Sequence, residues 1–157
     1  MRLRSPSHYE FAILTDLCMR SKAVWGYTPE MLEEFRAELT VSEEDAANDV
    51  IVVADDIRGI AGVVQLAIDG DTAWLEKLFV EPTRMGEGTG QMMYVWACRV
   101  AQDAGAKDLV IDCDPDAKDF YLRMGAERDG EAESPSISGR MLPRLVHRLH
   151  PARDGGN

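Results

Sequence analysis

Apolar residues recur at three- and four-residue intervals in two early stretches of the chain. Phe11, Leu14, Leu17 and Cys18 form one stripe within residues 5–26 (SPSHYEFAILTDLCMRSKAVWG), with Ser5 before Pro6 as a start signal. Residues 28–39 (TPEMLEEFRAEL) form the second: Thr28 is the N-cap, Pro29 the first helical position, and Met31, Leu32, Phe35 and Leu39 face inward. The segment VWGYT between them puts two large aromatics, Trp25 and Tyr27, in a loop. The acidic VSEEDAAND that follows reads as a solvated, mobile connection.

The period then changes. Residues 50–55 (VIVVAD) and 59–69 (GIAGVVQLAID) read as strands of a hairpin joined by DIRG, after a short β-rich start at Arg2–Arg4. DGD at 69–71 turns the chain into a further strand, residues 72–80 (TAWLEKLFV). Residues 90–104 return to helical spacing through Met93, Trp96, Ala97, Val100 and Ala101, and Gly105 stops the helix. A strand at 107–114 (KDLVIDCD), a short helix at 115–125 (PDAKDFYLRMG) and two last strands around the loop PSISGR complete the pattern. The helix joining strands 72–80 and 107–113 makes those two strands parallel neighbours, while the hairpins make the remaining pairs antiparallel. The expected fold is therefore a mixed α/β sheet with helices on its faces: one domain over residues 1–150, with a disordered tail at 151–157.

Composition narrows the partners. The 157 residues carry 28 Asp and Glu against 17 Lys and Arg, a formal net charge of −11. That balance argues against a nucleic acid, whose phosphates are bound chiefly by lysine and arginine. No apolar run approaches the roughly 18 residues of a membrane span, and the start MRLRSPSHYE has no apolar stretch like that of a secretory signal. Three separated cysteines (Cys18, Cys98, Cys113) form no CxxC pair, and the histidines lack metal-ligand spacing. The expectation is a cytoplasmic protein with free thiols, no metal, no membrane and no nucleic-acid partner.

The segment FVEPTRMGEGTGQMM, residues 79–93, carries the chemistry. Glycines at 86, 88 and 90 strip side chains from a turn at the mouth of a helix, whose unpaired amides and partial positive end suit an anion. A Walker loop is excluded because no Lys-Ser/Thr pair follows the last glycine, and Gln91 departs from the third glycine of a dinucleotide fingerprint. On these residues alone, two readings stand: an anion-binding cradle, or a tight turn that needs positive φ and binds nothing.

Taken with the short helix DFYLRMG, the glycine turn resembles motifs A and B of the GNAT N-acetyltransferase superfamily. Those motifs run from a strand ending V-x-P, through a glycine turn, a helix and a strand, to a helix carrying F-Y-x-x-x-G. The match covers residues 72–126, and the order of elements extends it over most of the chain. The resemblance implies a mostly antiparallel sheet of about seven strands with a central parallel pair. It also implies acetyl-CoA as acyl donor; the expected reaction is transfer of the acetyl group to the amine of a small molecule, and the expected state a monomer or homodimer.

By the same resemblance, pantetheine lies along Leu78, Phe79 and Val80, and the pyrophosphate on the turn Met85, Gly86, Glu87, Gly88, Thr89, Gly90 and Gln91, with Asp116 beside the cofactor. The chain departs from the family at Met85, where Gln or Arg is usual, at Glu87, where a second basic residue is common, and at Asp116, where Asn is frequent. Arg84 and Lys77 are the cations at hand to compensate.

Tyr121 falls at the family's tyrosine position and is the candidate acid for the departing thiolate; a phenol remains protonated at neutral pH. Glu76 is the candidate base, because period-2 alternation puts it on one face with Trp74, Leu78 and Val80. Trp25, Tyr27 and Arg140, in loops outside the two motifs, are candidates for binding the acceptor. Two other readings remain: a non-catalytic acyl-CoA-binding or sensing module, and a protein N-acetyltransferase.

Overall fold

The computed structural model describes residues 1–150; the tail expected at 151–157 lies outside them. Seven strands form one sheet: β1 (Arg2–Arg4), β2 (Val50–Asp56), β3 (Gly59–Asp69), β4 (Thr72–Val80), β5 (Asp108–Asp112), β6 (Glu127–Glu133) and β7 (Met141–Arg148). Their order is β1-β2-β3-β4-β5-β7-β6. Every neighbouring pair is antiparallel except β4 and β5, which run parallel as the connecting helix requires. Among the described residues, no helix is long and apolar enough to cross a membrane.

The helices are α1 (Phe11–Ala23), α2 (Pro29–Leu39), α3 (Glu43–Asn48), α4 (Thr89–Asp103) and α5 (Lys118–Arg123). Strand alternation divides the core between the two faces of the sheet. Ile51, Val53 and Val63 point to one face, where Leu14, Leu17 and Cys18 of α1 and Phe35 and Leu39 of α2 cover them. Val52, Ala54, Val64 and Leu66 point to the other, under Met93, Tyr94, Ala97 and Ala101 of α4.

Two local expectations change. The chain does not enter α1 at Ser5: a 3-10 turn, His8–Glu10, precedes it, and the Ser7 amide donates to the Glu10 carboxylate at 2.8 Å. The acidic connection is in part a helix, α3. The Ser42 hydroxyl accepts from the Asp45 amide, and Glu43, Glu44 and Asp45 sit where a helix N-terminus favours negative charge. Its acidity is thus a helix-start signal, not a mark of disorder.

Two features of β4 shape everything downstream. It pairs with β5 only from Thr72 to Trp74, so the two strands part and, among the described residues, β4 has no partner on that side beyond Trp74. It also contains a bulge: Gln65 of β3 opposes Lys77 and Leu66 opposes Leu75, leaving Glu76 as the extra residue. The bulge inverts the alternation, since Ala73 and Leu75 pack on the α4 face and so do Leu78 and Val80. Lys77 and Phe79 turn to the opposite face. The single face expected for Trp74, Glu76, Leu78 and Val80 therefore does not exist.

Candidate functional site

Where β4 and β5 part, a cavity of about 840 Å³ opens between the sheet, the start of α4, α5 and the end of α1. Its wall brings together the β4 residues Glu76, Leu78, Phe79 and Val80, then Met85, Gly86, Gly88, Thr89, Gly90 and Gln91 of the glycine turn. Asp116, Tyr121, Trp25 and Arg140 complete the set of sequence candidates that line it. Two candidates stand apart from the wall. The Glu87 side chain pairs with Arg58 and Arg84, and Tyr27 lies behind the lining, bonded to Asp114 and Arg140.

The glycine turn has a physical reason at each position. Gly86 and Gly88 adopt φ of +83° and +87°, which side-chain-bearing residues seldom take, and a Cβ on either would meet nothing within 4 Å. The turn therefore opens onto free space. Gly88 caps α4, whose first intrahelical bond is donated by the Met92 amide to the Gly88 carbonyl at 3.0 Å. The amides of Thr89, Gly90 and Gln91 precede that bond and have no intrahelical acceptor. Thr89 is only 4% exposed, yet its Oγ1 has no hydrogen-bond partner within the described residues. A buried hydroxyl left unmatched beside free amides is the polar equipment of an anion site.

Tyr121 is buried against Phe120 and Tyr94, at centroid distances of 5.1 and 5.7 Å. Burial pushes its phenol well above the usual range, with Cys113 and Asp114 adding to the shift, so it stays protonated. Glu76 sits at the exposed lip of the cavity. Desolvation by its packed neighbours, reinforced by the nearby Asp49 carboxylate, raises its pKa above the ordinary value.

On the wall near the end of α1 lies a network of Lys22, Asp114 and Arg140, with Tyr27 behind them, that sequence reasoning only half anticipated. Lys22 Nζ stands 2.8 Å from Asp114 Oδ2, and the Tyr27 hydroxyl donates to the same oxygen at 2.5 Å. Arg140 donates to the Tyr27 hydroxyl at 2.6 Å, and both cations lie over the Phe35 ring. Burial alone would raise the Asp114 carboxyl, but Lys22, Tyr27 and the Asp116 amide together hold it below its usual value. Lys22 and Asp114 were missed as site residues. The available signal was a lysine in the inward stripe of α1, one turn beyond Leu17 and Cys18.

The sequence profile of the Acetyltransferase (GNAT) family matches residues 12–126. The chain belongs to that family. No curated protein matches it. Among solved structures, it is similar to the PaiA N-acetyltransferase from Thermoplasma acidophilum in complex with coenzyme A, at 15% identity and a TM-score of 0.74 over 94% of this chain and 98% of that one. An aminoglycoside 6′-N-acetyltransferase complexed with coenzyme A gives 15% identity and a TM-score of 0.71, covering 98% of this chain and 100% of that one. The ribosomal-protein-S18-alanine N-acetyltransferase from Escherichia coli gives 14% identity and a TM-score of 0.70, covering 99% and 98%. At such identities these likenesses speak to the GNAT fold alone.

The departures from the GNAT turn pattern have a structural counterpart. Arg84 and Lys77 are not free to replace the missing cations. Lys77 is buried, bonded to Gln65 at 2.8 Å and 3.8 Å from Asp45. Arg84 bonds Asp56 at 2.5 Å and Glu87 at 3.0 Å, and Arg58 closes a ring by reaching the same two carboxylates at 3.3 and 2.9 Å. Glu87 thus ties the turn to the β2–β3 hairpin.

This ring has a pH signature. The Arg84 hydrogen bond holds Asp56 at about 2, against an ordinary value of 3.8. A depressed carboxylate contributes stability that is full above its unfolded pKa and lost as pH falls through its folded one. Wild type is therefore expected to melt above an Asp56→Asn variant at pH 5, with the difference closing between about pH 4 and 2. A difference that stays constant over a thermal-melt series from pH 5 to 2 would refute the pairing.

Proposed function

We propose that the protein transfers an acetyl group from acetyl-CoA to the amine of a small molecule, by direct attack within the cavity. The observation that carries this reading is the conjunction, in one cavity, of the free α4 amides, the unmatched Thr89 hydroxyl and the buried Tyr121. The residues suit the donor. The amides of residues 86–91 receive the pyrophosphate, Asp116 stands beside the cofactor, and the partnerless edge of β4 offers backbone groups to the pantetheine amides, as a sheet edge receives an extended chain.

Glu76 takes one proton from the acceptor ammonium, giving the neutral amine that attacks the thioester carbon. A backbone amide near Val80 stabilises the oxyanion that forms. As the new N–C bond replaces the C–S bond, Tyr121 gives its proton to the departing sulfur. The second proton lost from nitrogen replaces it, and the products are the N-acetyl amine and free CoA. The raised pKa of Glu76 makes it a better proton acceptor than an ordinary carboxylate, and the protonated state of Tyr121 suits donation.

The test is a panel of amines, amino acids and polyamines assayed for CoA release from acetyl-CoA with a thiol-reactive dye. Turnover of at least one is expected. Tight acetyl-CoA binding with no turnover of any member would instead favour a binding or sensing module.

A further inference from the structure

We propose that the acceptor carries a carboxylate beside its amine, as an α-amino acid does, and that Arg140, with Lys22 behind it, binds that carboxylate. This rests on the acetyltransferase reading above and specifies its second substrate.

The inference comes from charge within the acceptor end of the cavity. Lys22, Asp114 and Arg140 all line it, and their side chains are 9%, 8% and 17% exposed. Two cations therefore share one carboxylate in a poorly hydrated wall. Asp114 is already committed: Oδ1 accepts from the Asp116 amide at 2.9 Å, and Oδ2 takes Lys22 and the Tyr27 hydroxyl. Arg140 stands off at 3.7 Å from Oδ2 and donates instead to a neutral phenol oxygen.

A guanidinium has five N–H groups, and a buried charge demands an opposite one. Glu38, another carboxylate on this wall, accepts from the Ser136 hydroxyl at 2.7 Å and makes no ion pair with either cation among the described residues. The Arg140 fork is thus held in place by Tyr27 and Phe35, its only ion-pair contact among the described residues being the long one to a carboxylate that Lys22 and Tyr27 already engage, which leaves its remaining donors for the cavity. A planar fork matches a carboxylate through two parallel hydrogen bonds. Glu76, which lines the same cavity, takes the ammonium end. The result is a cavity with a guanidinium on one wall and a carboxylate at its lip, suited to a zwitterion.

The experiment compares phenylalanine with phenethylamine, leucine with isopentylamine, and lysine with cadaverine, each with saturating acetyl-CoA. Wild type is expected to favour the amino acid of a pair by about tenfold or more in kcat/KM, the effect of one charge-assisted contact. Arg140→Gln should bring that ratio to about one, mainly through KM, while Arg140→Lys retains part of it. Calorimetry with acetyl-CoA on each variant reports whether the donor site has survived.

Equal or faster turnover of the decarboxylated amines by wild type would overturn the proposal, as would a preference that persists in Arg140→Gln. Acetyl-CoA binding without acetylation of any amino acid would overturn the acceptor class and leave the donor site standing. Failure to bind acetyl-CoA would overturn both.

Discussion

Tyr121→Phe is expected to lower kcat by about a hundredfold or more, with little change in the acetyl-CoA Kd. The substitution keeps the ring, which packs against Phe120 and Tyr94 and belongs to the core under α4, and deletes only the hydroxyl. A group that gives its proton as the C–S bond breaks acts in the transition state, so its loss appears in kcat and kcat/KM together. The environment supports that role. Burial holds the phenol protonated, so the donor form is present throughout the neutral range. The assay needs the purified pair and a thiol dye; Cys18 and Cys113 are buried, and burial pushes their thiols up to about 12 and about 11. An active wild type matched by an equally active Tyr121→Phe variant would dismiss this acid while retaining the enzyme.

Gly88→Val is expected to weaken CoA binding by at least about tenfold, since a branched side chain would occupy the open space that the turn presents to an anion. It should also lower Tm, because φ at this position is +87°, a conformation that costs a β-branched residue on the order of 1–3 kcal/mol. Strain and obstruction can be separated. Gly105, at the far end of α4 and outside the cavity wall, has φ of +92° and equally open surroundings. Gly105→Val should therefore show the loss of Tm without the loss of CoA affinity. Met85→Arg should act in the opposite sense to Gly88→Val. Met85 is 41% exposed on the cavity wall, and a cation there should tighten CoA binding by roughly three- to tenfold, less at high salt. Calorimetry showing equal CoA affinity for wild type and Gly88→Val would remove the turn from the site.

Local signals carried most of the architecture because their physics is local. Thr28 and Pro29 predict the start of a helix, and the structure has α2 at Pro29–Leu39 with the Thr28 hydroxyl accepting from the Met31 amide. Gly59 and the alternation around it predict the β2–β3 hairpin, and Asp56 opposes Gly59 there. The helix between residues 80 and 108 is what makes β4 and β5 parallel, an inference from chain connectivity alone. Ser42 followed by Glu43, Glu44 and Asp45 is a helix-start pattern, yet the same charges suit a solvated connection, so composition alone does not separate the two.

What the sequence determined by itself was the order of elements, the glycine turn with its need for positive φ, and the placing of Tyr121 on a helix beyond the strand it adjoins. What only the tertiary structure decided begins at Glu76. A bulge is a disagreement in residue count between two strands, so it exists in the pairing of β3 with β4 and in neither strand alone; one extra residue turned Lys77 and Phe79 to the face that simple alternation gives to Leu78 and Val80. The same holds for charge. Arg84 and Lys77 look like available cations until Asp56, Glu87 and Gln65 arrive from other strands and turns to engage them. Lys22 and Tyr27, at the end of α1 and in the loop after it, meet Asp114 and Arg140 from two distant segments, Tyr27 and Arg140 being 113 positions apart. No periodicity links them, because an electrostatic network is decided by which side chains share a low-dielectric space, and folding alone creates that space.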